Sequence, residues 1–425
     1  MAAQQMNSSP VSVLVLDDEP DFAQECKGKL EEGSAAADSE VSVKAMSETD
    51  LDAIAEDLYQ RSRAFRDECD YSPKRSELDD CDLLLIDADL RESPAVKLAS
   101  GKDLAYSIRC FTEAGSIVVL NADGENSFDL TLKGDRESFG DLHIGSDQLA
   151  NPGLWKMPPE QRFRPWEWPL LWRESHLHKE RMKRLLELPD FNVPIAQLLD
   201  ASVADIEALS PDVASFLTTE RVRDETSLKD LTLLDFILKS EFALARKDAA
   251  VVAKDPDRYT QEIARVAAAR LSKWVNRVLL PAQDVLVDAP HLALRFPSVL
   301  QGPPDQVDTF SKTICLDLEV SVDSLDTLGF EDPSGELNRQ RFEASIWSDR
   351  PLWWGRRLND SELNEAKEPW LYEPPPFAFC EDASVFLPED QAVAFSSTLE
   401  TPYRLRYVAK DPDVVYRYPE RFLSD

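Results

Sequence analysis

The feature that most restricts this chain is an alternation in its first 150 residues. Short apolar runs are separated by segments with helical spacing, and two of the runs stop abruptly at carboxylates. Val11–Leu16, Val41–Ala45, Leu83–Ile86 and Ser116–Leu120 read as strands, with a fifth at either Phe128–Lys133 or Asp141–Ile144. Asp21–Glu32, Thr49–Arg66 and Gly101–Cys110 lie between them with helical spacing; Leu51, Ile54, Leu58 and Phe65 line one face of the second. Strands alternating with helices predict an α/β domain of flavodoxin-like, doubly wound type, its parallel sheet covered on both faces. The domain is placed at 1–150.

The first strand runs into Asp17, Asp18 and Glu19, and the third into Asp87 and Asp89. In an open parallel sheet the carboxyl ends of the strands line a common crevice. Carboxylates gathered there repel one another unless a hard cation joins them, and Mg²⁺ with carboxylate, carbonyl and water ligands suits that role.

VLVLDDEPDF, LLLIDADL, GKDLAYSIR and SIVVLNADG resemble, in order, segments of a response-regulator receiver domain over residues 10–150, about a third of the chain. The resemblance implies Mg²⁺ at Asp17, Asp18 and Asp87, with Asp87 as phosphoacceptor. A carboxylate attacking a phosphoryl group whose charge the cation spreads is coherent chemistry. Departures accompany it. The family's Ser or Thr ending strand four is Asn121 here, which lacks a hydroxyl. The family lysine ending strand five is replaced by Gly145 if that strand is Asp141–Ile144, or is Lys133 if it is Phe128–Lys133. Asp87 follows Asp18 by 69 residues, a wider spacing than the family's, and residues 91–100 are extended. The expectation is an atypical or non-phosphorylatable receiver, with a phosphorylatable one as the alternative.

Composition changes beyond this domain. Residues 155–172 hold Trp155, Trp166, Trp168 and Trp172 among four prolines, and read as an ordered connector at 151–173. Residues 174–300 read as mostly helical: Ser227 and Asp230 suggest a capping box before Leu231–Leu238, and Asp255-Pro256-Asp257 a helix start before Ile263–Leu280. Residues 301–425 read as mixed α+β, with strands at Ile314–Val320, Phe377–Cys380 and Tyr403–Val408.

Charge bounds the partners. Eighty acidic residues against 47 basic give −33 over 425 residues, and 33 acidic against 14 basic give −19 in residues 1–150 alone. Phosphate backbones and anionic membranes would be repelled over most of such a surface. Residues 155–185 reverse the balance, with eight Lys or Arg against four acidic residues. Trp166, Trp168, Trp172, Arg181, Lys183 and Arg184 are therefore interface candidates, for a protein or for single-stranded nucleic acid, or a strap onto the chain's own acidic domain. Trp353, Trp354, Arg356 and Arg357 form a second set, since Trp and Arg concentrate at recognition hot spots; the alternative is a small-domain core with arginines at its rim.

His176 and His178 point in different directions on a helix, and His143 and His291 stand alone. No catalytic motif, dinucleotide fingerprint or P-loop occurs, so no catalytic residue is assigned. The six cysteines make no CxxC pair and read as reduced thiols. With no apolar run of membrane length and no basic n-region, the expected setting is cytoplasmic. The function expected is a signalling adaptor that works through protein–protein contacts in a multi-component prokaryotic system, conflict and defence systems among the settings. The alternative is a receiver-regulated enzyme or nucleic-acid-binding output protein acting through 174–425.

Overall fold

The computed structural model describes residues 10–37, 40–63, 75–88, 90, 101–121, 140–150, 168–210, 213–214, 217, 227–239, 253–280, 283–314, 325–342, 345–348, 350–359, 363, 375–381, 385–395 and 406–410. Five strands, β1 (Val11–Leu16), β2 (Val41–Ala45), β3 (Leu83–Asp87), β4 (Ser116–Asn121) and β5 (Leu142–Gly145), form one all-parallel sheet in the order β2-β1-β3-β4-β5. That is the doubly wound, flavodoxin-like order. The fifth strand lies in the 141–144 register, pairing Asn121 with Gly145; Phe128–Lys133 is outside the described residues.

Alternation along each strand divides the sheet into two apolar faces. Val13, Val15, Leu83, Leu85, Val118 and Leu120 face α1 (Pro20–Ala36), which contributes Ala23, Cys26 and Leu30. Leu14, Leu16, Leu84, Ile86 and Ile117 face the other way, onto α2 (Glu48–Arg63) and α4 (Gly101–Phe111). A single capped turn, α3 (Glu77–Asp80), leads into β3.

The second face does not end with α2 and α4. The long helix α5 (Trp168–Leu186) packs against β4, and the Thr260–Trp274 helix packs against both α4 and α5. One apolar cluster runs from Leu84, Ile86 and Ile108 through Leu185, Ile263, Val266, Ala267 and Leu271 to Trp274 and Trp347. The helical region is thus continuous with the core of the sheet.

Two elements of that region refine the reading from sequence. Ser227 makes no side-chain capping bond; the box forms five residues on, where the Thr232 hydroxyl accepts from Asp235 N at 3.1 Å and donates to its carboxylate at 2.9 Å. The Asp255-Pro256-Asp257 start holds as a 3₁₀ turn, Pro256–Tyr259, feeding the Thr260–Trp274 helix.

A two-stranded antiparallel ribbon, β6 (Leu286–Asp288) with β7 (Leu352–Trp354), separates this core from the next. Leu286 and Trp354 join the sheet-and-helix core, while Val287 and Trp353 join a third cluster built on Phe296, Phe310, Phe330, Phe379 and Phe386. A separate mixed sheet follows in the order β10-β11-β8-β9, from β8 (Phe377–Cys380), β9 (Val385–Pro388), β10 (Ala392–Phe395) and β11 (Arg406–Ala409). Phe377–Cys380 matches the expected strand; residues 315–320 and 403–405 lie outside the described set. No helix among the described residues is long and apolar enough to cross a membrane.

Candidate functional site

The parallel register brings the strand ends together. Leu16 pairs with Ile86, so Asp17 leaves β1 beside Asp87, the last residue of β3, while Asn121 and Gly145 end β4 and β5 along the same edge. Asp17 Oδ1 accepts the N–H of Glu19 at 2.8 Å, turning the chain into α1, where Pro20 occupies the first turn. The rest of that carboxylate is unsupported. Asp17 is 2 % exposed, and its Oδ2 has no hydrogen-bond partner.

A buried carboxylate oxygen left unpaired is costly, and the neighbours add to the cost. Burial, reinforced by the charges of Asp87, Asp18 and Glu19 against the opposing Glu19 amide, pushes the Asp17 carboxyl up to about 7. Burial, with Asp17 adding repulsion, likewise pushes the Cys26 thiol on α1 up to about 12, so it is no nucleophile at neutral pH.

The fit to a divalent cation rests on this orphaned oxygen. Among the described residues no group of three or more His, Cys, Asp or Glu side chains is arranged to enclose a metal ion. A cation here would use the Asp17 carboxylate with one neighbouring carboxylate, Asp18 or Asp87, and take carbonyls and water for the remainder. That matches the habit of Mg²⁺, which keeps several waters and avoids all-protein cages. β5 ends at Gly145 in this register, and Lys133 is outside the described residues.

Backbone packing fixes the floor of the crevice. Ala88 N donates to Leu120 O at 3.0 Å, and Gly101 N, opening α4, donates to Ala88 O at 3.1 Å. A Cβ on Gly101 would lie 2.1 Å from the carbonyl oxygen of Asp87. Because the obstacle is main chain, no side-chain rotation relieves it. Gly101→Ala is expected to destabilise the protein by several kcal/mol, on the order of an overpacked core site or worse, or to push Asp87 out of place. Urea denaturation followed by tryptophan fluorescence checks this; an unchanged midpoint would contradict the contact.

Of the basic and aromatic candidates, Trp166 lies outside the described residues, and Trp168 and Trp172 fall within the first turns of α5. Lys183 and Arg184 are exposed on α5, but Arg181 is fully buried and donates through Nε to the carbonyl of Ile346. Arg181 is therefore an internal strut, not part of an exposed basic strip. His178 on the same helix is neutral: burial, then the guanidinium groups of Arg109, Arg181 and Arg265, hold its imidazole well below the usual value.

The second set is corrected in the same way. Trp353 and Trp354 are buried on opposite faces of the β6–β7 ribbon, and their side chains offer no contact surface. Arg357 stacks over the Trp354 ring, 5.1 Å from its centroid, and pairs with the buried Asp205; Arg356 reaches Ala204 O at 3.4 Å. These arginines close the rim of a core by clamping the 200–205 segment.

One cluster went unnoticed in the sequence. Asp288 caps the Ala289–Arg295 helix, accepting His291 N at 3.2 Å, and lies 2.6 Å from His291 Nδ1 and 3.2 Å from Arg350 Nη1. Burial would raise Asp288, but His291 and Arg350 outweigh it and hold this carboxylate well below the usual range. His291 Nε2 stands 4.0 Å from Glu381 at the end of β8. The signal available was the Asp-x-x-His spacing at a helix start. The cluster ties the C-terminal sheet to the ribbon.

Compared with protein-family models, with curated proteins and with solved structures, this chain finds no match.

Proposed function

We propose that residues 10–150 form a receiver-like signalling module whose acidic crevice binds Mg²⁺, and that the chain acts as an adaptor through protein–protein contacts. The observation that carries the reading is Asp17: a carboxylate at a strand end, 2 % exposed, with an unpartnered oxygen beside Asp18 and Asp87. The strand order supports it, and so does the placing of Asp17, Asp87, Asn121 and Gly145 along one sheet edge. When bound, Mg²⁺ would supply charge neutralisation at the strand ends. Asp17 and one of Asp18 and Asp87 would hold it, and the Asp87 carboxylate would be the acceptor of a phosphoryl group. Asn121 can donate an amide hydrogen but not a hydroxyl, and glycine at the end of β5 offers no ammonium to pair with new negative charge. These two positions favour a fixed docking module over a phosphorylation switch.

The test is a thermal melt of the wild type and Asp87→Asn with Mg²⁺ alone and with Mg²⁺ plus beryllofluoride, a phosphoryl mimic. A ligand confined to the native state adds about 2.7 kcal/mol at roughly 100 times its dissociation constant. Stabilisation of the wild type by Mg²⁺, with no further rise from beryllofluoride, is the result expected. A further rise that Asp87→Asn abolishes would make the module a working phosphoacceptor. No response to Mg²⁺ would remove the cation site.

A further inference from the structure

We infer that the acidic crevice is read out inside the molecule, by the chain's own helices α5 and Thr260–Trp274, with α4 as the lever between them. The inference rests on the cation-site reading above and adds where its effect goes.

Three observations carry it. The first is the joint at the crevice. Gly101 begins α4 with no room even for a methyl group against the Asp87 carbonyl, and the chain Leu120 O, Ala88, Gly101 N is hydrogen-bonded throughout. Movement of the Asp87 backbone is therefore passed to the first turn of α4, not absorbed by a gap. The second is the far end of α4, which is anchored. Arg61 Nη1 donates to Phe111 O at 3.0 Å, and Arg109 Nη1 to Gly115 O at 3.0 Å while its Nη2 pairs with Asp141 at 2.6 Å. A helix fixed at its carboxyl end and pressed at its amino end pivots; it does not slide. The third is what lies along its flank. Leu104 and Ile108 of α4 share one core with Ile263, Val266, Ala267 and Leu271, and α5 joins the same core through Leu185 while contacting β4. A close-packed interior transmits such displacement because it has no free volume to take it up.

The consequence is that the face of the sheet around α4 is not a free docking surface for a separate partner. A partner sensing the crevice would instead meet a change on the outer surfaces of α5, where Lys183 and Arg184 are exposed, or of the helical region behind it.

Hydrogen exchange on the full-length protein, with and without saturating Mg²⁺, tests this. The expected result is that Mg²⁺ slows exchange on the order of threefold or more in peptides covering 168–186 and 260–274 as well as 10–20 and 83–90. Peptides from 325–342 are expected to stay unchanged. In Asp17→Asn, which removes a charge without changing shape, both responses should disappear. Mg²⁺ that raises the melting temperature and protects 10–20 and 83–90 but leaves 260–274 unchanged would overturn the lever while leaving the cation site standing. Mg²⁺ that changes neither melting nor exchange would overturn both.

Discussion

At pH 8 and without divalent cations, Asp17→Asn is expected to melt several degrees above the wild type. The Asp17 carboxyl titrates at about 7 in the fold and near 3.8 when the chain is open. Its folded form therefore holds a proton that the unfolded form has released across that interval. Stability from this group is greatest below about pH 4, falls as pH rises toward 7, and is flat above it. Ionising Asp17 in the native protein costs on the order of 4 kcal/mol at pH 8. The amide of asparagine keeps the shape, can still accept from Glu19 N, and carries no charge toward Asp87. At pH 4 the two proteins should nearly coincide, because the wild type is then already neutral at this position. Glu262, which burial pushes up to about 7, remains in both proteins and leaves a residual decline that the comparison cancels.

The same carboxyl links the cation to the proton. A cation that binds ionised Asp17 displaces its proton, so near pH 7 Mg²⁺ binding should release a fraction of one proton and tighten as pH rises to 8. Calorimetric titration in two buffers of different ionisation enthalpy reads that number directly. Asp17→Asn should show neither the Mg²⁺ stabilisation nor the proton release. If the variant instead melts below the wild type at pH 8, the carboxylate has a native partner and the orphaned oxygen is not a vacancy for a cation.

What could be read from sequence, and what could not, follows from the range of the forces involved. β1 and β2 were legible to the residue and β3 and β4 to within one: residues 13–16, 83–86 and 117–120 are the uninterrupted apolar runs of buried parallel strands, and the edge strand β2 alternates Val41, Val43 and Ala45 with the exposed Ser42 and Lys44. The acidic ends were legible for the same reason: Asp17 and Asp87 adjoin those runs in the chain. The choice between two fifth strands was not decidable by pattern, since both candidates are short and both alternate apolar with polar residues. Arg181 looked like a member of a basic strip because sequence shows its charge and not its carbonyl acceptor 165 residues away. Trp353 and Trp354 looked like a recognition pair because adjacency hides that a strand sends neighbours to opposite faces, here into two different cores. Asp288 and His291 stand three residues apart at a helix start, but Arg350 and Glu381 reach them from 62 and 90 residues further on, so the cluster is hidden in the sequence.

The largest loss of stability is expected from cutting the anchor at the opposite end of the sheet. Arg61 and Asp79 form a bidentate pair, 3.1 Å and 2.8 Å, both side chains about 5 % exposed or less. Asp79 also accepts Ser76 N at 2.8 Å and Glu113 N at 2.9 Å, so one carboxylate joins α2, the turn before β3 and the segment after α4. Burial alone would raise this carboxyl; the Arg61 hydrogen bonds and the two amides outweigh it and hold it below the usual range. Its stabilising contribution is accordingly present above about pH 4 and lost as pH falls through its folded value. Asp79→Ala takes the bidentate carboxylate from a buried Arg61 guanidinium, leaving the half-exposed Asp57 on its Nε, and is expected to cost about 3–5 kcal/mol. Replacing both partners, Arg61→Met with Asp79→Leu, removes the buried charge and should recover part of that loss, though Ser76 N and Glu113 N lose their carboxylate acceptor. Urea midpoints of the two single variants and the double variant close the cycle. A double variant as unstable as the sum of the singles would show that the two side chains act independently.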